Sequence, residues 1–209
     1  MKKAEKSARN KNLILRETEK LFAEKGYDGT RVDEIAARSG LNKALIYYYF
    51  NNKQGLLEAL VQQHVAETIE FKETLLEEVS EYNESEIKQV AKKLYTFLEE
   101  KRHILSILTI ETVKLGSHDK NIFELFHSIY EKTLQDLDIK QEELNDSSRS
   151  VLHLFFFGAI PVTIFLALRD KWSEYYQVDP TICTTIFQQK FEEIYVEIYQ
   201  ELIARKTTG

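Results

Sequence analysis

The fold is decided by residues 26–53, which read GYDGTRVDEIAARSGLNKALIYYYFNNK. Two glycines, Gly26 and Gly40, stand where a helix end or a tight turn needs a left-handed backbone. The apolar residues between them recur at helical spacing, and Ile46 and Phe50 lie four residues apart further on. The stretch therefore predicts two short helices joined by a tight turn.

Capping residues mark where these two helices are expected to begin. Thr30 is predicted to start the first, with its hydroxyl accepting from the backbone N–H of Asp33. Asn42 is predicted to cap the second. Ile46 and Phe50 are then expected to point inward, which leaves the remaining side chains of the second helix facing outward.

The outward side chains suit the major groove of DNA better than plain packing. Lys43 can reach guanine O6 and N7 or a phosphate, Ala44 allows close approach, and Leu45 can meet a thymine methyl group. The hydroxyls of Tyr47 and Tyr48 can bond phosphate oxygens. The second helix is therefore expected to read DNA.

Lys53 opens the following helix, so that a cation and free backbone N–H groups converge where a phosphate would sit. The three consecutive tyrosines 47–49, taken alone, are equally compatible with packing at the edge of an ordinary three-helix core. The caps, the turn glycine and the flanking lysines together favour DNA binding.

The segment from about residue 8 to residue 60 resembles the N-terminal domain of the TetR family of bacterial transcriptional regulators. The residues that carry the resemblance are Leu21, Phe22, Gly26, Tyr27, Thr30, Val32, Ile35, Ala36, Ser39, Gly40, Leu41, Lys43, Ala44, Ile46, Tyr47, Tyr48, Tyr49, Phe50 and Lys53. Two positions depart from the family pattern: Leu45, where a small polar residue is frequent, and Tyr49, where histidine is common.

The resemblance implies a role for individual positions. Lys43, Ala44 and Tyr47 correspond to base-contacting positions of the family. Phosphate-contacting positions correspond to Thr30, Tyr48 and Lys53, and we place Arg31, next to Thr30, at the same interface. For the whole chain, the resemblance implies an all-α architecture of nine helices and a homodimer.

Composition and charge agree with a helical, DNA-binding chain. Only 2 prolines and 7 glycines occur in 209 residues, which is typical of an all-helical protein. The net charge is −6, but residues 1–53 hold 12 basic and 7 acidic side chains, against 16 and 27 in the remainder. A basic head on an acidic body is expected when one end binds phosphate.

We accordingly predict a DNA-binding domain at residues 1–53 and a ligand-binding and dimerisation domain at residues 54–209. A first helix is expected at about residues 7–25. Beyond the head, helices are predicted at residues 53–79, 85–100, 104–115, 121–137, 147–171 and 180–205.

The cysteine content and the apolar run at residues 151–168 bear on the cellular location of the protein. The single Cys183 excludes an intramolecular disulfide and suits a reducing, cytoplasmic setting. The apolar run 151–168 contains His153, Gly158 and Pro161 and is short for a membrane span. It is therefore interpreted as a buried helix, kinked at Pro161, with no membrane contact.

The last helix carries an apolar stripe, which we predict to form a dimer interface together with the helix at 151–168. The stripe consists of Phe187, Phe191, Ile194, Tyr195, Ile198 and Leu202. Pairing of the two helices with their copies would give a four-helix interface, as the resemblance also implies. The alternative is a monomer that buries both helices internally.

The body is expected to hold a small hydrophobic ligand, as the resemblance implies. The candidate lining is mostly aromatic with few polar groups: Phe97, Ile107, Glu111, Phe126, Tyr130, His153, Phe156, Phe157 and Trp172. The alternative is that the aromatic residues among them simply form the core. No spacing typical of a metal site, a nucleophile or a cofactor-binding loop occurs, so neither a cofactor nor an enzymatic activity is expected.

These observations predict a homodimeric transcriptional regulator. It would repress transcription from a pseudo-palindromic double-stranded DNA operator and be released by a small hydrophobic ligand. The alternative is a helical protein-interaction or DNA-architectural module without an inducer.

Overall fold

A computed structural model describes residues 3–77, 79, 83–113, 121–136 and 151–206. Within these ranges the chain is helical and contains no strand, as its composition predicts. The helices are α1 (Lys3–Gly29), α2 (Val32–Ser39), α3 (Lys43–Phe50), α4 (Lys53–Glu77), α5 (Glu84–Glu100), α6 (Arg102–Val113), α7 (Asn121–Asp136), α8 (a π-helical part, His153–Ala159, and an α-helical part, Ile160–Tyr176) and α9 (Pro180–Lys206). The predicted breaks near residues 116 and 145 lie outside the described residues.

The first turn of the head differs from the prediction at Thr30. Gly26 breaks α1 with a φ of 73°, as expected of a glycine there, but α2 begins at Val32. The buried Thr30 hydroxyl lies 2.8 Å from the carbonyl oxygen of Gly26 and 3.1 Å from that of Leu21. Because it faces back to the end of α1, it does not cap α2.

Glu34, and not Asp33, closes the N-terminus of α2. Its carboxylate accepts from the backbone N–H of Arg31 at 3.0 Å. Asp33, which was expected to receive the Thr30 cap, instead projects from the first turn of α2 with an exposed side chain. This leaves Asp33 free to interact across the turn with α3.

The core of the head extends past residue 53 into α4 and α6. Buried apolar residues of α1, α2 and α3 form one cluster with Leu56, Leu57, Leu60 and Val61 of α4 and with Ile104 and Ile107 of α6. The first half of α4 is therefore part of the head by packing. The remaining half of α4 belongs to the core of the body through Leu75.

Gly55 fixes the junction between α3 and α4. The side chain of Asn52 accepts from its backbone N–H at 2.8 Å. A Cβ atom at this position would lie 2.0 Å from the carbonyl oxygen of Phe50, so any other residue would force the two helices apart. The close approach holds α3 at one angle to α4.

The apolar stripe of α9 faces the interior of its own chain, which corrects the predicted dimer interface. Phe191, Tyr195, Ile198 and Leu202 are buried in the core of the body. The other two members, Phe187 and Ile194, are partly buried and pack against the same core. The physical reason is that α9 packs against α5 on this side, so the stripe is already covered.

Helix α8 is exposed over much of its surface, so the prediction of a buried helix was wrong. The 24 residues His153–Tyr176 are long and apolar enough to cross a membrane by length and composition, yet only 28% of the most apolar window is buried. One side packs on α6 and α9. The other side leaves apolar residues exposed, which indicates a surface that something else covers.

We define the exposed apolar face by six of these side chains. Phe157, Ile164, Leu168 and Trp172 recur along α8 at spacings of seven, four and four residues, which places them on one side of the helix. Ile182 and Ile186 are exposed four residues apart in the antiparallel α9. Large contiguous apolar surfaces of this kind usually mark an interaction site.

Pro161 lies in the first turn of the α-helical part of α8, directly after the π-helical part. A proline has no N–H to donate to the preceding turn, and the change from π to α geometry occurs at this point. The predicted disturbance at Pro161 therefore takes the form of a π-helical segment upstream of it. Such segments are frequent at functional sites.

Candidate nucleic-acid interface and body cavity

Helix α3 presents the face that the sequence predicted. The Asn42 side chain caps it by accepting from the backbone N–H of Ala44 at 2.8 Å. Ile46 and Phe50 are buried against the head core. Ala44 is exposed, and Tyr47 and Tyr48 are 41% and 78% exposed. A capped, well-packed helix thus carries a polar outer surface that fits a groove.

Lys43 forms an ion pair that the sequence analysis missed. Its ammonium lies 2.7 Å from the carboxylate of Asp33 and 5.8 Å from the centre of the Tyr47 ring. The hydrogen bond that the Lys43 ammonium donates to the Asp33 carboxylate raises the pKa of Lys43. Because both side chains are well exposed, the pair adds little stability, and it holds Lys43 near the α2 side of α3.

Asp33 is therefore expected to compete with DNA for Lys43. We expect Asp33→Asn to strengthen DNA binding by roughly two- to fivefold, because it frees Lys43 and removes a negative charge near the phosphates. Titration of a labelled duplex at two salt concentrations measures this. Glu84→Gln, which opens an exposed lysine ion pair in α5, is the control. Unchanged or weaker binding by Asp33→Asn would contradict this competition.

Thr30 is buried and Lys53 is half-buried, and both side chains make hydrogen bonds within the head. The Thr30 side chain is buried. The Lys53 ammonium donates to the carbonyl oxygens of Tyr27 at 3.0 Å and Thr30 at 3.2 Å, and it lies 4.4 Å from the centre of the Tyr27 ring. The two side chains thus tie the start of α4 to the α1–α2 turn. Burial corrects the phosphate contact predicted for the Thr30 side chain, and the contact predicted for Lys53 stays a prediction.

The remaining predicted contacts stay compatible with DNA binding. Arg31 is exposed at the start of α2, and Leu45 is half-buried beside the outer face of α3. Among the residues that the structure describes, the face available to DNA is therefore formed by Arg31, Lys43, Ala44, Tyr47 and Tyr48, with Leu45 at its edge.

The body encloses an apolar cavity of about 130 Å³ between α4, α5, α7, α8 and α9. It is lined by Thr68, Lys72, Leu94, Leu98, Phe126, Ile129, Tyr130, Thr133, Leu154, Gly158, Ala159, Val162, Phe191, Tyr195, Ile198 and Tyr199. Burial raises the pKa of Tyr195 to about 12, so its hydroxyl remains neutral at physiological pH. Lys72 contributes a basic side chain to this lining.

A second cavity of about 100 Å³ adjoins the first and extends toward the head. The two share Thr68, Leu98, Phe126, Ile129, Ala159 and Val162. His64 lines the second cavity. Its ring nitrogens lie 3.3 Å from the carboxylates of Glu19 in α1 and Glu67 in α4. The proximity of His64 lowers the pKa of Glu19, and the contact between these two side chains joins α1 of the head to this end of the cavity.

Two of the predicted pocket residues, Phe126 and Tyr130, line the cavity, and most of the others do not. Ile107 is buried in the head core, Phe97 stacks on Phe71 with ring centres 4.4 Å apart, and His153 lies 2.9 Å from the carboxylate of Glu201. The residues that the structure leaves exposed are Phe156, Phe157 and Trp172. The side chain of Glu111 lies outside the described residues.

The sequence analysis missed the polar residues of α4 that reach the cavities. His64, Thr68 and Lys72 recur every four residues, which places them on one side of the helix. That spacing is visible in the sequence, but the predicted pocket residues include none from α4. In the described part of the chain, no group of three metal-ligating side chains comes together.

The head matches a known family model. The model described as "Bacterial regulatory proteins, tetR family" aligns with residues 14–60, the segment that contains α2, α3 and the part of α4 that packs in the head core. Residues 14–60 thus belong to the TetR family of DNA-binding domains. Over 52 residues, it is 42% identical to the biofilm operon negative transcriptional regulator IcaR of Staphylococcus aureus.

The similarities to curated relatives cover different lengths of the chain. It is 25% identical over 115 residues to the HTH-type transcriptional regulator YerO of Bacillus subtilis. The alignments span 54% of this chain and 40% of YerO, and 25% of this chain and 28% of IcaR. The chain thus matches less than half the length of these curated relatives.

Solved structures of the family share the whole architecture. A TetR-family regulator from Mesorhizobium loti superposes with a TM-score of 0.60 at 20% identity, covering 92% of this chain and 96% of its own. The regulator FadR of Bacillus subtilis, in complex with stearoyl-CoA, gives 0.58 at 21% identity, with 88% and 96% covered. At these identities the comparison confirms the all-α TetR fold.

Proposed function

We propose that this TetR-family chain is a homodimeric transcriptional repressor of a pseudo-palindromic DNA operator. The observation that carries the proposal is the outer face of α3, where Ala44, Tyr47 and Tyr48 are exposed on a helix fixed by its cap and its two buried residues. The reported role of IcaR as a negative regulator supports repression. A repressor of bacterial genes would act in the cytoplasm.

The exposed apolar face supports the dimer. One head offers few base contacts, so specific binding needs two heads on successive turns of the duplex. Pairing of α8 and α9 with their copies through the exposed apolar face would bury its six large side chains and set the distance between the heads. This interface lies on the opposite side of α9 from the stripe that the sequence suggested.

The body cavity supports release by a ligand. It lies against α4, whose first half packs in the head and whose second half packs in the body. A ligand that binds better to one orientation of α4 shifts the population toward it, and DNA affinity changes by the same differential free energy. The stearoyl-CoA complex of FadR shows that a protein of similar fold accommodates a hydrophobic ligand.

Selection of binding sites from a random duplex library tests the proposal. We expect enrichment of inverted repeats and an affinity that falls steeply with salt. Addition of a ligand that binds the cavity should then lower the affinity for the selected site. Equal binding of all sequences would favour a DNA-architectural module, and binding that ignores salt would contradict the assigned DNA face.

A further inference from the structure

We infer that the first turns of α1, residues 3–11, bind the sugar–phosphate backbone of DNA beside the half-site that α3 reads. This stretch is called the basic extension below. The inference rests on the proposed function, since it assigns a second DNA contact to the same head. It is carried by three exposed basic side chains and by a contact between Lys11 and Tyr49 that holds the basic extension next to α3.

The basic extension is helical and lies beyond the core of the head. Helix α1 begins at Lys3, ahead of the predicted start at about residue 7, and the first buried side chain described in it is that of Ile14. The stretch from Lys3 to Lys11 corresponds to about 12 Å of helix, which is the rise of about three to four base pairs of duplex. An ordered helix of this length can follow one strand of DNA past several phosphates.

The cations of the basic extension are available to phosphates. Lys6, Arg9 and Lys11 are exposed, and in the described part of the chain none of the three forms an ion pair with a carboxylate. Other exposed lysines of the head, such as Lys25 and Lys43, are paired with acidic side chains. Lys6 also lies in the first turn of α1, where the helix dipole disfavours a cation. A phosphate beside it would offset both the positive charge and the dipole.

Lys11 places the basic extension next to the outer face of α3. Its ammonium lies 5.4 Å from the centre of the Tyr49 ring, which is within the range of a cation–π contact. The Tyr49 ring packs edge to face against the Tyr48 ring, with centres 5.3 Å apart, and Tyr48 is 78% exposed. One aromatic ring therefore separates the basic extension from a side chain that is predicted to bond phosphate oxygens.

A contact of this kind adds affinity without reading the sequence. Basic side chains that neutralise phosphates release counterions, so affinity becomes more dependent on salt. Phosphate contacts position a protein on the duplex but do not distinguish its bases. The basic extension thus strengthens binding to the operator and to unrelated duplexes alike, while the choice of operator stays with α3. Tyr49 is a positioning residue in this arrangement, because it acts through Lys11.

Fluorescence anisotropy of the full-length protein over a salt series, with the selected operator and with an unrelated duplex, tests the inference. We expect Lys6→Gln combined with Arg9→Gln to lower the slope of log affinity against log salt by about two to four, since each of two heads loses two phosphate contacts. At about 0.15 M salt, affinity should fall roughly tenfold for both duplexes. The matched control, Lys92→Gln combined with Lys190→Gln, removes two exposed lysines of α5 and α9 and should keep the wild-type slope.

Two substitutions at Tyr49 test its positioning role. Tyr49→Leu removes the ring next to Lys11 and should lower the slope by about one to two. Tyr49→Phe keeps the ring and should behave as wild type. Circular dichroism shows whether each variant is folded, and the Lys6 and Arg9 variant decides the inference if Tyr49→Leu is not.

Three outcomes would overturn the inference or part of it. A wild-type slope in the Lys6 and Arg9 variant would show that the basic extension is a solvated terminus. A loss confined to the operator would show that it reads bases and not phosphates. A folded Tyr49→Leu protein with the wild-type slope would exclude Tyr49 as the positioning residue.

The wild-type protein separates this inference from the proposed function. If it binds no duplex, or binds all sequences equally, the proposed function is overturned. If it binds the operator selectively and with a steep salt dependence that the Lys6 and Arg9 variant shares in full, the basic extension alone is overturned.

Discussion

A protein that carries Lys43→Ala together with Tyr47→Phe is expected to bind its operator about 100-fold more weakly than wild type. Lys43 supplies the cation of the α3 face, and the Tyr47 hydroxyl lies one turn further along the same exposed side. A good base contact contributes about 1–3 kcal/mol and a phosphate contact somewhat less. Fluorescence anisotropy with the selected operator and with an unrelated duplex measures the loss for each.

The matched control is Lys190→Ala, which opens an exposed lysine ion pair with Glu193 at 2.5 Å in α9. This variant removes the same charge far from the head and should leave operator affinity unchanged within about twofold. The double variant should also show a smaller dependence of affinity on salt, since fewer counterions are released. Wild-type operator affinity in the double variant would show that α3 does not read the DNA.

Leu168→Glu is expected to convert the dimer into a monomer at micromolar concentration. Leu168 is 51% exposed in the single chain and lies near the middle of the exposed apolar face. In a two-fold interface the substitution places two buried carboxylates near each other, which is strongly unfavourable. Sedimentation equilibrium measures the state of assembly. Because two heads then no longer bind as one unit, operator affinity should fall by about 100-fold or more.

Thr96→Glu is the control for this experiment, since it adds the same charge at an exposed position of α5. Both variants should retain the helical circular dichroism of the wild type, which shows that each is folded. A Leu168→Glu protein that still sediments as a dimer would place the interface elsewhere. A wild-type protein that sediments as a monomer would contradict the proposed dimer itself.

The sequence predicted the local features of the head well because they depend on neighbours in the chain. The two glycines, Gly26 and Gly40, act through their backbone conformation, and both have a positive φ as expected. Asn42 acts as a cap on the backbone N–H two residues further along, also as expected. The prediction for Thr30 was wrong because its hydroxyl can bond either to the backbone N–H groups at the start of α2 or to the carbonyl groups of α1. In the structure it bonds to the carbonyl groups. The path of the α1–α2 turn decides between these two sets of partners.

The body was harder to predict because a helix with more than one apolar side can pack through either side against the rest of its own chain. The stripe of α9 and the exposed side of α8 are both apolar, and the sequence does not say which packs within the chain. The cavity raised the same difficulty: Phe126 and Phe156 have similar sequence surroundings, yet one lines the cavity and the other is exposed. Packing between residues far apart in the chain makes that distinction.

The extension of the head core into α4 and α6 restricts how this protein can be recombined with other regulators. A chimaera spliced at residue 53 would take α1–α3 from one parent and leave behind Leu56, Leu60 and Ile104, which complete their core. The transplanted helices would then pack poorly, whichever operator they recognise. A useful exchange would transfer at least residues 1–61 and keep the two α6 side chains of the head core, Ile104 and Ile107, matched to them.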